Sequence, residues 1–272
     1  MSENFREKLL KLSVLAAKAS GRILLKKYTT AKILGEKGTA STYELVTEAD
    51  ILSEKAILKI LSRANVPILS EETRNSTEIP EKGFCLAVDP LDGTFNYSIR
   101  LPFFSVSIGI LEDRKPIGGA ILNPATGELF SALSKRGAFL NSKRISVSKN
   151  TDISKTLINH CHKQGPEEIE RLAGIYERAK KTGRDFRRLG SGALDLAWVA
   201  SGRNDLFFTI GFGGLWDVTA GVAIVREAGG LVTDFSGKEW TLEEKNILAV
   251  NNSEMQKRAI ELLRGPNAKD NM

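Results

Sequence analysis

The sequence predicts a mixed α/β protein: helices and a largely antiparallel meander over residues 1–149, then an alternating α/β half over 150–272. Three observations lead there. Residues 5–28 carry apolar side chains at helical spacing. Several short β-type runs between residues 103 and 147 are separated by turn residues only. After Val147 strand-type and helix-type segments alternate.

In chain order, Phe5, Leu9, Leu12, Leu15, Ala16, Ala19, Ile23 and Leu24 define a long amphipathic helix. The Gly-, Thr- and Ser-containing stretch Leu34–Tyr43 breaks it. A second helix follows over Glu48–Ala64, and Thr47 with Asp50 three residues later has the form of a capping box. Val66–Ser70 and Phe84–Val88 read as strands that stop at Glu71-Glu72 and Asp89. Phe103–Leu111, Ile117–Leu122, Glu128–Leu133 and Ala138–Val147 then form hairpins through the connectors Glu112–Pro116 and Asn123–Gly127.

In the second half, Thr156–His160 is a strand. Pro166–Lys181 is a helix with glutamates early and lysines late, as the helix dipole prefers. Ser191–Ser201 is a helix stopped by Gly202, Asp205–Thr209 a strand, and Asp217–Ala228 a helix stopped by Gly229-Gly230. Leu231–Asp234 is a strand, residues 253–264 are a closing helix, and 265–272 are a frayed tail. No flexible linker separates the halves, so they are expected to pack closely.

The chain has 272 residues, 42% of them apolar and 26% charged, which excludes collagen-like, disordered and small disulfide-scaffold classes. No apolar run is long enough to span a membrane, and the N-terminal helix lacks interfacial tryptophans. No signal-peptide core precedes that helix, so a cytoplasmic protein without membrane association is expected. Two cysteines, Cys85 and Cys161, suit a reducing compartment. The net charge of +6 invites a nucleic-acid reading. The basic residues are spread along the chain, however, the densest cluster, Arg184–Arg188, holds only three of them, and no basic stripe interleaved with aromatics appears. Nucleic-acid binding is therefore not expected. His160 and His162 share one strand face, but two ligands do not make a metal site, and a structural role is expected for both.

Three acidic clusters lie where apolar runs stop: Ser70-Glu71-Glu72-Thr73, Asp89-Pro90-Leu91-Asp92-Gly93-Thr94 and Trp216-Asp217. Each has a bland explanation on its own. Asp92-Gly93 can be a turn, Asp217 and Asp50 helix caps, and Glu71-Glu72 a solvated pair. Together they point elsewhere. Pro90 fixes the chain leaving a buried strand and Gly93 permits a turn closed to other residues, so Asp89 and Asp92 can approach one point with the Leu91 carbonyl between them. Two carboxylates about 4 Å apart repel by about 4 kcal/mol at an effective dielectric of about 20. Gathered acids must protonate, separate or hold cations, and hard oxygen donors suit Mg²⁺ or Mn²⁺. A turn or helix starting at Thr94 would present N–H groups to an anion, so metals plus an anion cradle indicate a phosphate ester.

With Leu45–Asp50, Phe103–Gly109, Gly137–Asn141 and Gly229-Gly230 added, these runs resemble the inositol monophosphatase family, lithium-sensitive and magnesium-dependent phosphatases, over about residues 10–260. The resemblance implies a layered α-β-α-β-α sandwich of the sugar-phosphatase type, usually a homodimer, acting on a small phosphorylated substrate with two to three Mg²⁺ per site. It implies that Glu71, Asp89 and the Leu91 carbonyl hold one metal, that Asp89, Asp92 and Asp217 hold a second, and that Glu71 with waters holds a weaker third. Thr94 and Asp50, supported by Thr47, would orient and deprotonate the attacking water. Glu72 matches a neighbouring acid with a less direct role. The Gly93 and Thr94 amides would bind the phosphate beside Asp92.

The segment Arg188-Leu189-Gly190-Ser191-Gly192 resembles the part of the family that contacts sugar or cyclitol hydroxyls, which makes Gly190, Ser191, Gly192 and Arg188 substrate-binding candidates. Ser191 also reads as a simple N-cap, and Arg188 as a reach to a second phosphate or a partner subunit. Inositol-specific members usually carry an acid where this chain has Thr209, and a neutral threonine cannot make a carboxylate's charge-assisted bonds. A broad inositol/sugar monophosphatase acting on inositol-1-phosphate ranks first and a fructose-1,6-bisphosphatase second. Histidinol-phosphate and 3′-phosphoadenosine 5′-phosphate phosphatases come next. A regulatory or RNA-associated protein on a phosphatase scaffold is the alternative of a different class; it predicts a lost metal ligand, and none of the principal ones is missing.

Overall fold

The structure is a computed structural model describing residues 3–37, 44–73, 78–162, 165–181 and 185–264. Most of the predicted break at 34–43, Arg184 of the basic cluster and the tail 265–272 lie outside these residues.

Helix α1 (Glu3–Lys27) follows the predicted apolar stripe and buries Leu9, Ala16, Ala17 and Leu24. Strands β1 (Ile33–Lys37) and β2 (Glu44–Thr47) then form a small antiparallel pair that periodicity did not predict. β2 delivers Thr47 to the start of α2 (Glu48–Leu61), which tightens into a 3₁₀ turn at Ser62–Ala64. Next come β3 (Ile68–Ser70), β4 (Phe84–Asp92), the short α3 (Thr94–Ser98), β5 (Ser105–Glu112), β6 (Lys115–Asn123) and β7 (Glu128–Leu133). The run read as one strand over 138–147 is two, β8 (Gly137–Leu140) and β9 (Lys143–Ile145). Asn141 and Ser142 between them both have positive φ, 47° and 69°, which is the backbone of a tight two-residue hairpin turn. These seven strands form one sheet in sequence order, parallel only between β3 and β4.

The second half supplies β10 (Leu157–His162), α4 (Pro166–Lys181), β11 (Asp185–Arg187), α5 (Gly192–Ala200), β12 (Leu206–Ile210) and α6 (Leu215–Glu227). It closes with β13 (Leu231–Thr233), β14 (Asn246–Val250) and α7 (Ser253–Arg264). Its sheet has the order β11-β10-β12-β14-β13, with β10 parallel to both neighbours and β14 antiparallel to both of its own. β14 escaped prediction because a run of four apolar residues is too short for its period to separate strand from helix.

The layers follow from which apolar face meets which. α1 and α2 cover one face of the seven-stranded sheet, α5 and α6 lie between the two sheets, and α4 and α7 cover the far face of the five-stranded sheet. Three cores fill the gaps: Leu9, Ile57 and Val106 in the first, Leu194, Phe207 and Val222 in the second, and Ile158, Phe208 and Met255 in the third. This is the α-β-α-β-α sandwich. At the crossing between halves, Asp205 accepts hydrogen bonds from Asn150 Nδ2 at 2.7 Å, Thr156 Oγ1 at 3.1 Å and Ser148 Oγ, so polar bonds tie the connection down.

Gly109 lets α6 lie directly on β5. A Cβ built there would sit 2.4 Å from Thr219 Cγ2 and 2.8 Å from the Ala220 nitrogen, and backbone cannot yield as a side chain does. Gly109→Ala is expected to lose about 2–3 kcal/mol of stability in chemical denaturation. A loss under about 0.5 kcal/mol would mean that the helix is not seated by this contact.

His160 is buried between Phe186 and Phe208, and its Nδ1 has no hydrogen-bond partner among the described residues. The histidine pair is thus part of the packing, as the sequence suggested. Burial, then His162 and Arg188, lower the His160 pKa to about 3, below its ordinary 6.5. Between those values the unfolded chain binds the extra proton, so stability is full above pH 6.5 and falls as pH drops, by about 2 kcal/mol from pH 6.5 to 5. His160→Phe should flatten the melting temperature over that interval and hold or raise it at pH 7.

Candidate active site

The site is built at the end of β4. Phe84–Val88 are buried as predicted, but the strand continues where the sequence suggested a stop. Asp89 pairs with Ser107 and Asp92 with Ser105, and Pro90 and Leu91 interrupt the register between them. Such a bulge re-aims both carboxylates. Asp89 Oδ1 accepts the Leu91 N–H at 2.9 Å, which fixes its rotamer. Gly93 then turns the chain with φ 87°, and a Cβ there would lie 3.0 Å from the Gly190 carbonyl oxygen and 3.2 Å from that of Phe103. Both the conformation and the crowding demand glycine.

The capping box at Thr47 and Asp50 is present and does a second task. Thr47 Oγ1 accepts the Ala49 N–H at 3.1 Å, while Asp50 Oδ2 accepts the Thr47 N–H at 2.8 Å and hydroxyl at 2.6 Å. The other oxygen, Oδ1, faces the Thr94 hydroxyl at 3.2 Å; that hydroxyl also lies 2.9 Å from the Leu91 carbonyl. Burial, against the opposing hydrogen bonds of Thr47, raises the Asp50 pKa to about 6.

Asp92 is held by the start of α5. Its Oδ2 accepts the Ala193 N–H at 3.0 Å, the Ser191 hydroxyl and, at 3.2 Å, the Ser105 hydroxyl. Ser191 is therefore not a simple N-cap: it is fully buried and its hydroxyl goes to Asp92. Burial still raises the Asp92 pKa, with those donors opposing it. Asp217 lies in the first turn of α6, where its Oδ2 accepts the Gly213 and Gly214 N–H groups at 2.7 and 3.1 Å. Ser107 donates to the Trp216 carbonyl at 3.1 Å and binds that helix start to β5.

Asp89 shows how closely the acids gather. It is 2% exposed, and burial, then Glu71, Asp92 and Asp217 in that order, push its pKa well above the ordinary range. A hydrogen bond with the Glu71 side chain adds to the rise. The four predicted acids are thus neighbours in space. Among the described residues no three acidic, histidine or cysteine side chains are closed into a ready coordination shell; the arrangement is a cluster of repelling oxygens around Asp89. The donor set, carboxylates and one carbonyl without nitrogen or sulfur, fits a hard divalent cation. A cation there would relieve the repulsion that now raises Asp89.

The remaining candidates are more dispersed. Gly190 has φ 85° and lies against Asn96, and Gly192 begins α5. Arg188 is exposed, and its charge is felt at His160, His162 and Cys161. Thr209 is buried and donates its hydroxyl to the Gly211 carbonyl at 2.5 Å, so its proton is spent within the fold. Sequence reasoning missed the residues that hold the loops. Asn96 Nδ2 donates to the Phe103 and Leu189 carbonyls, both at 2.7 Å, and joins the Gly93 turn to the Gly190 segment. Ser105 and Ser107 support the acids across the strand pair. Nothing in their local pattern marks them, because polar residues on an alternating strand ordinarily face solvent.

A sequence profile of the inositol monophosphatase family matches residues 6–266. Inositol monophosphatase 2 of Solanum lycopersicum is 38% identical over 253 residues, covering 90% of this chain and 94% of that protein. The Nus factor SuhB of Pasteurella multocida is 35% identical over 248 residues, covering 89% and 90%. The crystal structure of the extragenic suppressor protein suhB from Bartonella henselae superposes with a TM-score of 0.84 at 35% identity, covering 93% of this chain and 97% of that one.

The raised pKa of Asp50 has a measurable consequence. Above pH 6 its charged form in the folded protein carries a penalty of up to about 3 kcal/mol, which shrinks as pH falls and vanishes below the unfolded value near 4. Asp50→Asn is therefore expected to raise stability at pH 7 and to match the parent at pH 4. Equal stability of the two at pH 7 would contradict the burial argument.

Proposed function

The chain belongs to the inositol monophosphatase family and is a phosphoric monoester hydrolase, and we propose that it hydrolyses inositol-1-phosphate and related sugar monophosphates with magnesium. The observation that carries the reading is the buried acid cluster around Asp89, with Asp50 and Thr94 on its flank. Glu71, Asp89, the Leu91 carbonyl, Asp92 and Asp217 would hold the cations, two to three Mg²⁺ per site, with Mn²⁺ as a substitute. When bound, such cations supply Lewis acidity at the phosphoryl oxygens and neutralise the acids.

The chain's own residues supply the rest. Thr94 passes its hydroxyl proton towards Asp50 Oδ1, which leaves the threonine oxygen to accept from an attacking water. A carboxyl with pKa about 6 suits a base that works near neutral pH. Thr47 keeps Asp50 oriented through two hydrogen bonds to Oδ2. The Gly93 and Thr94 amides, at the start of α3, would receive the phosphate, and the Gly190–Gly192 segment with Arg188 would face the alcohol.

Thr209 favours a second reading. The position carries a buried, neutral threonine in place of an acid, so no carboxylate there selects cyclitol hydroxyls. Together with the exposed Arg188 this supports tolerance of a second phosphate, as in fructose-1,6-bisphosphate. The homodimer and a cytoplasmic setting belong to the same proposal; no helix among the described residues is long and apolar enough to cross a membrane.

Initial rates with magnesium on inositol-1-phosphate, fructose-1,6-bisphosphate, histidinol phosphate and adenosine 3′,5′-bisphosphate test the substrate order. A tenfold lead for the bisphosphate sugar would reverse it. Asp92→Asn should lower turnover by at least about a hundredfold while the protein stays folded, and Asp50→Asn by about a hundredfold or more. Near-parental turnover in folded Asp92→Asn would remove the basis of the proposal.

A further inference from the structure

Helix α2 presents three buried polar side chains, Asp50, Ser53 and Glu54, at the i, i+3, i+4 spacing that places them on one face. Each meets a different segment of the site. Asp50 faces Thr94, and Ser53 donates to the Pro90 carbonyl at 2.7 Å, inside the β4 bulge. Glu54 faces the turn after β3. Its Oε1 accepts the Ser70 hydroxyl, the Thr73 N–H at 3.0 Å and the Thr73 hydroxyl at 3.2 Å. Ser70 and Thr73 bracket Glu71-Glu72, so one carboxylate oxygen ties both ends of the two-acid turn.

We infer that Glu54 is a positioning residue that holds the Glu71-Glu72 turn against the acid cluster, and so sets the affinity of the site for its divalent cation. The inference rests on the assignment of Glu71 as a cation ligand under the proposed function. On the strand side the turn is tied by the Glu71 N–H to the Val88 carbonyl at 3.1 Å. That bond fixes the backbone on one flank, while the Glu71 and Asp89 side chains lie close enough to share a hydrogen bond and bring like charges together when both are ionised. A turn carrying an acid towards like charge needs an anchor on its other side, and the three donors to Glu54 form one. A carboxylate 3% exposed is costly to bury unless donors surround it, and among the described residues its hydrogen-bond donors are those of the turn it restrains. Because the three bonds converge on a single oxygen, the carbonyl of a glutamine can replace it, whereas an apolar side chain of similar length cannot.

The test is calorimetric titration of Mg²⁺ alone into the metal-free full chain, paired with the Mg²⁺ dependence of inositol-1-phosphate turnover. Glu54→Met should weaken Mg²⁺ binding and raise the half-activating concentration about tenfold, with kcat at saturating Mg²⁺ within about threefold of the parent. Glu54→Gln should stay within about threefold on both measures. The Ser70→Ala/Thr73→Val double variant removes donors from the other partner and should shift Mg²⁺ affinity in the same direction as Glu54→Met; it carries the test if Glu54→Met does not fold. Parental Mg²⁺ affinity in a folded Glu54→Met or in the double variant would overturn the inference, as would a glutamine variant as impaired as the methionine one. Failure of the underlying reading shows separately, as parental Mg²⁺ affinity in Glu71→Gln.

Discussion

The repulsion among buried carboxylates around Asp89 is the constraint to which the rest of the molecule answers. A pair of such charges about 4 Å apart costs about 4 kcal/mol at an effective dielectric of about 20, and Asp89 feels three acidic neighbours. What offsets that cost is visible at each aspartate. Asp89 takes the Leu91 N–H, Asp92 the Ala193 amide in the first turn of α5, and Asp217 two amides just before α6. Amides at helix starts lack intrahelical partners and carry partial positive charge, so the acids sit where the backbone already favours an anion.

Those helix starts arrive at one place because the middle layer is packed tightly. α5 and α6 are flanked by sheets on both sides, and α6 rests on β5 and β6 through Gly109 and Gly119, against Thr219 and Ala220. Small residues at that contact allow the helix to lie low. Core packing and site geometry are therefore one problem: a displacement of α6 would move Asp217 relative to Asp92.

The outer helix α2 contributes from the opposite side. Its first turn holds Asp50 near Thr94, and its next turn reaches the β4 bulge and the Glu71-Glu72 turn. The charged form of Asp50 is disfavoured by burial, which is the property of a proton acceptor that works near neutral pH and also a cost to stability. The acids are thus held by α2, α5 and the start of α6, three of the helices that border the seven-stranded sheet.

Several features were decided locally and were legible in the residues. The stripe of α1, the hairpins of the meander, the glutamate-to-lysine gradient of α4 and the box at Thr47 and Asp50 depend on neighbours within a few positions. The acidic runs were legible as well, since Pro90 and Gly93 restrict their own backbone. Tertiary structure decided what those runs do together. That Asp92 meets Ser191, that Asn96 joins Leu189 to Phe103, and that Thr209 turns its hydroxyl inward are contacts between segments or choices of rotamer that no local pattern encodes. The β1–β2 pair and β14 also escaped, because short strands take their stability from partners across the sheet and not from their own periodicity. Physical chemistry acts over a few ångströms, and only folding determines which distant residues come within that range.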